Sequence, residues 1–214
     1  MIDSLTATQI KSIFLHVADR VISVKEILCE ADRNIGDGDH GIGMANGFEG
    51  AITELNAKEF EDAYAVFSTV GRKMIGVMGG ASGIIFGLLF FAGSKNMPPK
   101  SDLTTREFAE IFSKAMLEIQ AKGGAKLGDK TLIDGLSPAV DAMQKSVETG
   151  AGYKEFLDNA LSGAEAGKEA SKDYIARFGK AKTLGERAIG YPDAGCVTLT
   201  YIFSAMKEWA EENL

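Results

Sequence analysis

Asp32, Asp37 and Asp39 fall within eight residues in the string Glu30-Ala-Asp-Arg-Asn-Ile-Gly-Asp-Gly-Asp-His-Gly41. Carboxylates this close repel one another unless a cation sits among them. An all-oxygen donor set suits a hard divalent ion, Mg²⁺ or Ca²⁺. The acidic spacing is not that of an EF-hand, and the glutamate that would close such a loop is missing. Magnesium keeps part of its coordination shell for substrate oxygens, so a carboxylate loop running into a helix suits a phosphate-bearing ligand such as a nucleotide. The alternative for the same residues is a polar turn whose aspartates cap the next helix. His40 follows at the expected helix start, where it would contact a phosphate or orient a metal-bound carboxylate. His16 lies within the apolar pattern of the first helix and reads as structural.

Three further segments have the composition of phosphate-binding turns. In Gly79-Gly-Ala-Ser-Gly83, small residues leave backbone N–H groups accessible and the following helix aims its N-terminus outward. Ser82 adds a hydroxyl donor. In Gly128-Asp-Lys-Thr-Leu-Ile-Asp134, Lys130 would neutralise a phosphate and Thr131 would cap a helix. It is not a Walker motif, because the upstream glycine pattern and a preceding strand are both absent. The stretch from Gly179 to Gly195 carries Lys180, Lys182 and Arg187 close to Asp193. Each segment also has an ordinary reading: tight packing, a capped helix start and a surface loop.

The elements that must position these residues are helical. Ile10, Ile13, Phe14, Val17, Val21, Val24 and Leu28 recur at helical spacing from Thr8 to Leu28. The same reasoning predicts helices from His40 to about Leu55, Lys58 to Met74 and Ala81 to about Ser94. A fifth starts at the capping box Thr104-x-x-Glu107 and runs to Lys122. A sixth spans about Thr131 to Glu148, a seventh Tyr153 to about Phe178, with small residues on its inner face, and an eighth about Ala194 to Glu211. No period-two alternation stands out, so no sheet is expected. Eight helices with short connections predict an all-α bundle or closed barrel, and no linker or repeat divides residues 1–214.

Composition narrows the function. The 214 residues are 45% apolar and 25% charged, ordinary for one globular domain. A net charge of −7 with no basic stripe argues against nucleic acid, but not against polyphosphate, since metal ions supply the compensating charge. Met74 to Ser94 carries no charge, yet its six glycines favour a buried helix after a glycine turn over a membrane span. Cys29 and Cys196 have no metal-type spacing and no signal peptide precedes them, so they read as reduced thiols in a cytoplasmic protein.

Together the four segments resemble the ADP-binding subunit of dihydroxyacetone kinase. The matching pieces are Ile35-Gly-Asp-Gly-Asp-His-Gly41, Gly79-Gly-Ala-Ser-Gly83, Gly128-Asp-Lys-Thr-Leu-Ile-Asp134 and Leu184-Gly-Glu-Arg-Ala-Ile-Gly190 with Asp193-Ala-Gly195, in the family's order. The resemblance implies a closed barrel of eight antiparallel helices with ADP or ATP at one end. It implies two Mg²⁺ held by Asp32, Asp37 and Asp39. It assigns nucleotide contacts to His40, Gly41, Ile42, Gly43, Gly80, Ala81, Ser82, Gly123, Leu132, Lys180, Asp193 and Gly195. Three positions depart from the family: Gly43 where asparagine is frequent, Lys180 where arginine is frequent, and Ala194 where proline is usual. Lysine supplies a point charge but no bidentate fork.

The resemblance further implies two partners. One is a kinase subunit that carries dihydroxyacetone on a histidine; the other is a phosphotransferase-system protein that rephosphorylates the bound ADP. Related single-chain enzymes exchange ATP instead, and related domains serve kinases for fatty acids or for other short ketoses and aldoses. Docking to a transcription regulator and a homodimeric state remain open on this reading, while nucleic acid and membrane do not enter it.

Overall fold

The computed structural model describes residues 2–214. Its α-helices are α1 (Ala7–Ser23), α2 (Lys25–Arg33), α3 (His40–Asn56), α4 (Ala63–Met78), α5 (Gly80–Phe91), α6 (Thr105–Gly123), α7 (Leu132–Thr149), α8 (Tyr153–Ala170) and α9 (Ala194–Asn213). All but α2 form a ring in which each packs on the next, and α9 closes it against α1. The all-α expectation holds.

Pairs of close approaches show that neighbours run antiparallel. Gly71 on α4 and Gly87 on α5 stand equally far from the turn at Gly79, and a Cβ on Gly71 would meet the Phe91 amide at 2.6 Å. On α8, Gly163 lies against Pro138 and Gly167 against Asp134, pairs that recede together from the turn at Gly150. Pro138 has no N–H to offer the Asp134 carbonyl, and Gly167 brings its backbone onto that same carbonyl. The small-residue face expected on this helix is therefore its contact with α7.

Aromatic side chains fill the ring. Phe14 of α1 meets Phe67 of α4 edge-on at 4.8 Å, Phe67 meets Phe108 of α6 at 5.3 Å, and Phe108 meets Phe156 of α8 at 5.9 Å. These quadrupole-matched pairs add to the burial of large apolar area. Thr6, Thr104 and Thr131 each form a capping box at the start of α1, α6 and α7.

The structure corrects the expected elements in four places. The first helix breaks at Val24 (φ −101°, ψ 16°), after Ser23 donates its hydroxyl to the Arg20 carbonyl at 2.7 Å. Such back-bonding bends helices, and the chain resumes as α2. The third predicted helix starts at Ala63, because Asp62 caps it by accepting the Tyr64 N–H at 3.0 Å. The seventh stops at Ala170 rather than Phe178; Ser171 donates to the Lys168 carbonyl at 2.6 Å and a single 3₁₀ turn, Ser171–Asp173, follows. A two-stranded antiparallel ribbon also exists, β1 (Ser4–Thr6) with β2 (Asp102–Thr104), Leu5 opposite Leu103. Three residues are too few to show alternation. Among the described residues, no helix is long and apolar enough to cross a membrane.

Two glycines test this packing. A Cβ at Gly163 would meet the Pro138 carbonyl carbon at 2.7 Å and the Ala139 Cα at 2.8 Å, whereas one at Gly76 meets nothing within 4 Å. Gly163→Ala should cost about 1–3 kcal/mol by overpacking. Gly76→Ala should gain about 0.5–1 kcal/mol by restricting the unfolded chain. Urea unfolding of the two variants beside the parent checks both signs.

Candidate functional site

Alternation around the ring sends the N-termini of α3, α5, α7 and α9 to one end. The four segments singled out in the sequence precede these helices, so they meet there. Ile35 packs with Ala176, Ala181, Ala188 and Ala194, joining the acidic loop to the stretch before α9. The Arg177 N–H donates to the Asp129 carbonyl at 3.0 Å, joining that stretch to the turn before α7.

The acidic loop is built around Asp32, which sits on the last turns of α2. Its Oδ2 accepts the Gly38 N–H at 2.8 Å and the His40 N–H at 3.3 Å. Asp32, rather than Asp39, thus takes the amide at the start of α3. The α2 helix can lie on α3 because residue 41 is glycine: a Cβ there would overlap the Lys25 carbonyl and sit 2.8 Å from the Cys29 amide. The outcome is that carboxylate oxygens of Asp32, Asp37 and Asp39 lie within 4.8 Å of one another. Asp32 is partly buried, and Asp37 and Asp39 are exposed. This all-oxygen donor set fits Mg²⁺. The Lys180 ammonium reaches the same place, donating to Asp37 Oδ2 and standing 3.6 Å from Asp39 Oδ2. That hydrogen bond holds the Asp37 carboxyl below its ordinary range and raises the Lys180 ammonium.

His40 turns inward. Its Nε2 lies 2.7 Å from Thr198 Oγ1, which donates to the Ala194 carbonyl at 3.1 Å, and its ring stacks obliquely on Phe86 at 5.6 Å. The hydroxyl proton is committed, so Nε2 carries the imidazole proton and donates to Thr198. Burial lowers the His40 pKa below its ordinary value against the pull of Asp32 and Asp39. A neutral ring locked between α3 and α9 orients the loop beside it; Thr198 was not visible as its partner from spacing alone.

The four helix starts differ in what they leave open. Thr131 accepts the Ile133 N–H at 3.3 Å and Asp193 accepts the Cys196 N–H at 2.9 Å, so α7 and α9 are capped from within. The cap residues of α3 and α5, Asp39 and Gly79, accept no amide; at α3 only the His40 N–H is taken, by Asp32, and the amides after it stay open. Uncapped first-turn amides with the positive end of the helix dipole form an anion site. At α5, Gly79 (φ 67°) and Gly80 (φ 60°) take the left-handed region, and a Cβ on either would find open space. Ala81 and Ser82 are exposed beside them, as is Ile42 on α3. A Cβ at Gly43 would meet only Met78 Cε at 3.8 Å, so the space where the family often has an asparagine stays open.

The remaining residues form the far rim. Gly123 is exposed at the end of α6, and Leu132 is buried at the start of α7, where Gly195 closes on it. Lys130 differs from expectation. It is only 1% exposed, and its ammonium is committed to the carbonyls of Ser171 and Tyr191, each at 2.6 Å. Neutralising a phosphate is not the role this geometry gives it. Asp134, also 1% exposed, accepts the Gly128 N–H at 2.5 Å and the Thr131 N–H at 2.7 Å. Burial raises the Asp134 pKa, and burial pushes the Asp193 carboxyl from 3.8 to about 6.

A raised acid binds its proton more tightly in the folded chain, so the stabilisation from Asp193 is complete below about pH 4 and lost as pH rises through about 6. Asp193→Asn keeps an acceptor for the Cys196 amide and removes the titration. Between pH 4 and 7 the parent should therefore lose roughly 2–3 kcal/mol relative to the variant in urea unfolding.

Comparison with known proteins places the chain. The family model of the DAK2 domain matches residues 34–208. The chain is 31% identical over 209 residues to the ADP-binding subunit of the PEP-dependent dihydroxyacetone kinase of Escherichia coli (strain K12), covering 98% of this chain and 100% of that one. It is 32% identical over 190 residues to the ADP-binding subunit of the PTS-dependent dihydroxyacetone kinase of Lactococcus lactis, covering 89% and 91%. An L-erythrulose kinase of Pectobacterium atrosepticum is 31% identical over 88% of this chain, which spans 32% of that enzyme. The fold matches the crystal structure of the dihydroxyacetone kinase from C. freundii in complex with AMP-PNP and Mg²⁺, with a TM-score of 0.72, 22% identity and 97% of this chain covered. The chain spans 35% of that structure's length. The chain belongs to the DAK2-domain family, and the two relatives above that it spans over nine-tenths or more of their length are named as kinase subunits.

Proposed function

We propose that this chain is the nucleotide-binding subunit of a multi-component dihydroxyacetone kinase. It holds ADP or ATP with two Mg²⁺ at Asp32, Asp37 and Asp39. It passes the phosphoryl group to dihydroxyacetone carried on a partner subunit, and a phosphotransferase-system protein rephosphorylates the ADP. The observation that carries this reading is the convergence of three carboxylates within 4.8 Å at the end where α5 and, beyond the His40 amide, α3 present open first-turn amides.

Phosphoryl transfer needs alignment and charge neutralisation more than covalent help from the protein. Asp32, Asp37 and Asp39 would hold Mg²⁺, which when bound would supply positive charge against the charge that develops in the transfer. The chain's own residues do the rest. Amides at Gly41, Ile42, Ala81 and Ser82 orient the phosphates, and Lys180 adds a positive charge on the open side. His40 stays neutral and fixes the loop, and Leu132, Gly123 and Gly195 bound the far side of the nucleotide. Ile42, Val77, Ile84, Leu127 and Phe178 are exposed on the elements of this same end. That apolar rim suits the docking of the subunit that brings the acceptor.

The match to an L-erythrulose kinase over 88% of the chain favours one second reading, the same role toward a four-carbon ketose. The acceptor sits on the partner in either case.

Native mass spectrometry of the purified protein should show bound ADP with about two Mg²⁺, and Asp37→Ala should lose both while keeping its helical circular dichroism. Phosphotransfer with the partner subunits should fall below detection in that variant. Full transfer by Asp37→Ala, or a parent protein indifferent to added ADP and Mg²⁺, would sink the proposal.

A further inference from the structure

Lys130 is a lysine where none of its usual uses applies. It is 1% exposed, and its backbone lies in the left-handed region at φ 58°, which disfavours any residue with a Cβ. Asp134 holds the surrounding turn in that shape by accepting the Gly128 and Thr131 amides. The turn sends the side chain inward to a cradle of three backbone carbonyls: Ser171 at 2.6 Å, Tyr191 at 2.6 Å and Lys172 at 3.5 Å. An ammonium has three donors and no acceptor, and this cradle matches it.

Those carbonyls are the two feet of one excursion. The Gly190 N–H donates to the Lys172 carbonyl at 2.9 Å, and the Asp193 N–H to Ser171 Oγ at 3.0 Å, so the chain leaves and returns at one point. Between the feet runs the segment with Lys180, whose ammonium reaches Asp37 and Asp39. Beyond the feet, this segment rests on Ile35 through alanines and Leu184, and its Arg177 N–H donates to the Asp129 carbonyl at 3.0 Å.

We propose that Lys130 is a positioning residue: its buried ammonium clamps the two feet of the 171–193 segment together and so sets Lys180 over the three aspartates. The clamp is a property of the free protein. Its effect on ligand binding rests on the proposed function, in which Mg²⁺ and ADP occupy that end.

Two variants separate ammonium from backbone. Lys130→Met keeps the aliphatic stem, and Lys130→Gly relieves the left-handed residue; both remove the donors. Hydrogen exchange of the nucleotide-free protein should show both losing protection at residues 172–191 by at least about tenfold, with the ring helices unchanged. Mg²⁺–ADP affinity by calorimetry should fall in Lys130→Met, and adding Lys180→Met should cost little more than the larger single loss, because both act through one segment. Unchanged exchange at 172–191, exchange raised equally in every helix, or losses that multiply in the double variant would each overturn the clamp. A parent that fails to bind Mg²⁺–ADP would reject the proposed function but leave the exchange result to judge the clamp.

Discussion

Three carboxylates within 4.8 Å of one another are the constraint around which this end of the molecule is arranged. Their mutual repulsion is relieved only by positive charge or by hydrogen-bond donors, and the chain supplies both. Asp32 spends one oxygen on the amides of Gly38 and His40, which fixes the loop before any ion is considered. Lys180 brings an ammonium to Asp37 and Asp39. To place Asp32 at all, the first helix has to break at Val24, and α2 has to lie on α3 across Gly41. A break that looks like a local irregularity is therefore what puts the first carboxylate among the others.

Charge and dipole are divided between the four helix starts. The α7 and α9 starts satisfy their own amides through Thr131 and Asp193, so those turns are finished structure. The α5 start keeps its amides, the α3 start gives only that of His40 to Asp32, and both flank the carboxylates. Without an internal cap, a helix start can serve an external anion. The difference lies in one side chain at each start: threonine or a half-buried aspartate on one side, glycine or a carboxylate turned elsewhere on the other.

Much of this was legible in the sequence. Apolar spacing along Ile10 to Val21 and along Phe67 to Met74 carries the helices, and Thr104 with Glu107 marks a start by its own chemistry. The aspartate string reads as a candidate cation site because few other uses tolerate such density of charge, and the fold does bring its three carboxylates together. Long-range facts were not legible. Nothing near Lys130 says that its cradle lies some forty residues on, at Ser171 and Lys172, and a lysine beside a threonine cap reads equally well as a phosphate ligand. Nor does local pattern show that Thr198 holds His40. The β-ribbon went unseen because pairing of three residues with three is decided by proximity, not periodicity. The early end of α8 depends on a serine hydroxyl competing for a carbonyl, a choice that propensity leaves open.

The far end of the ring carries a different consequence. There the Tyr153 N–H donates to the Ile2 carbonyl at 2.9 Å, and Ile2 and Leu214 line the same shallow cleft. Ile2 and Leu214 therefore meet at the pole opposite the aspartates. A short linker could join them, and the ring could be reopened in the connection between α3 and α4, at the same pole, without cutting any segment that borders the carboxylates. The site belongs to the closed ring of helices, and the order in which the chain visits them is incidental to it.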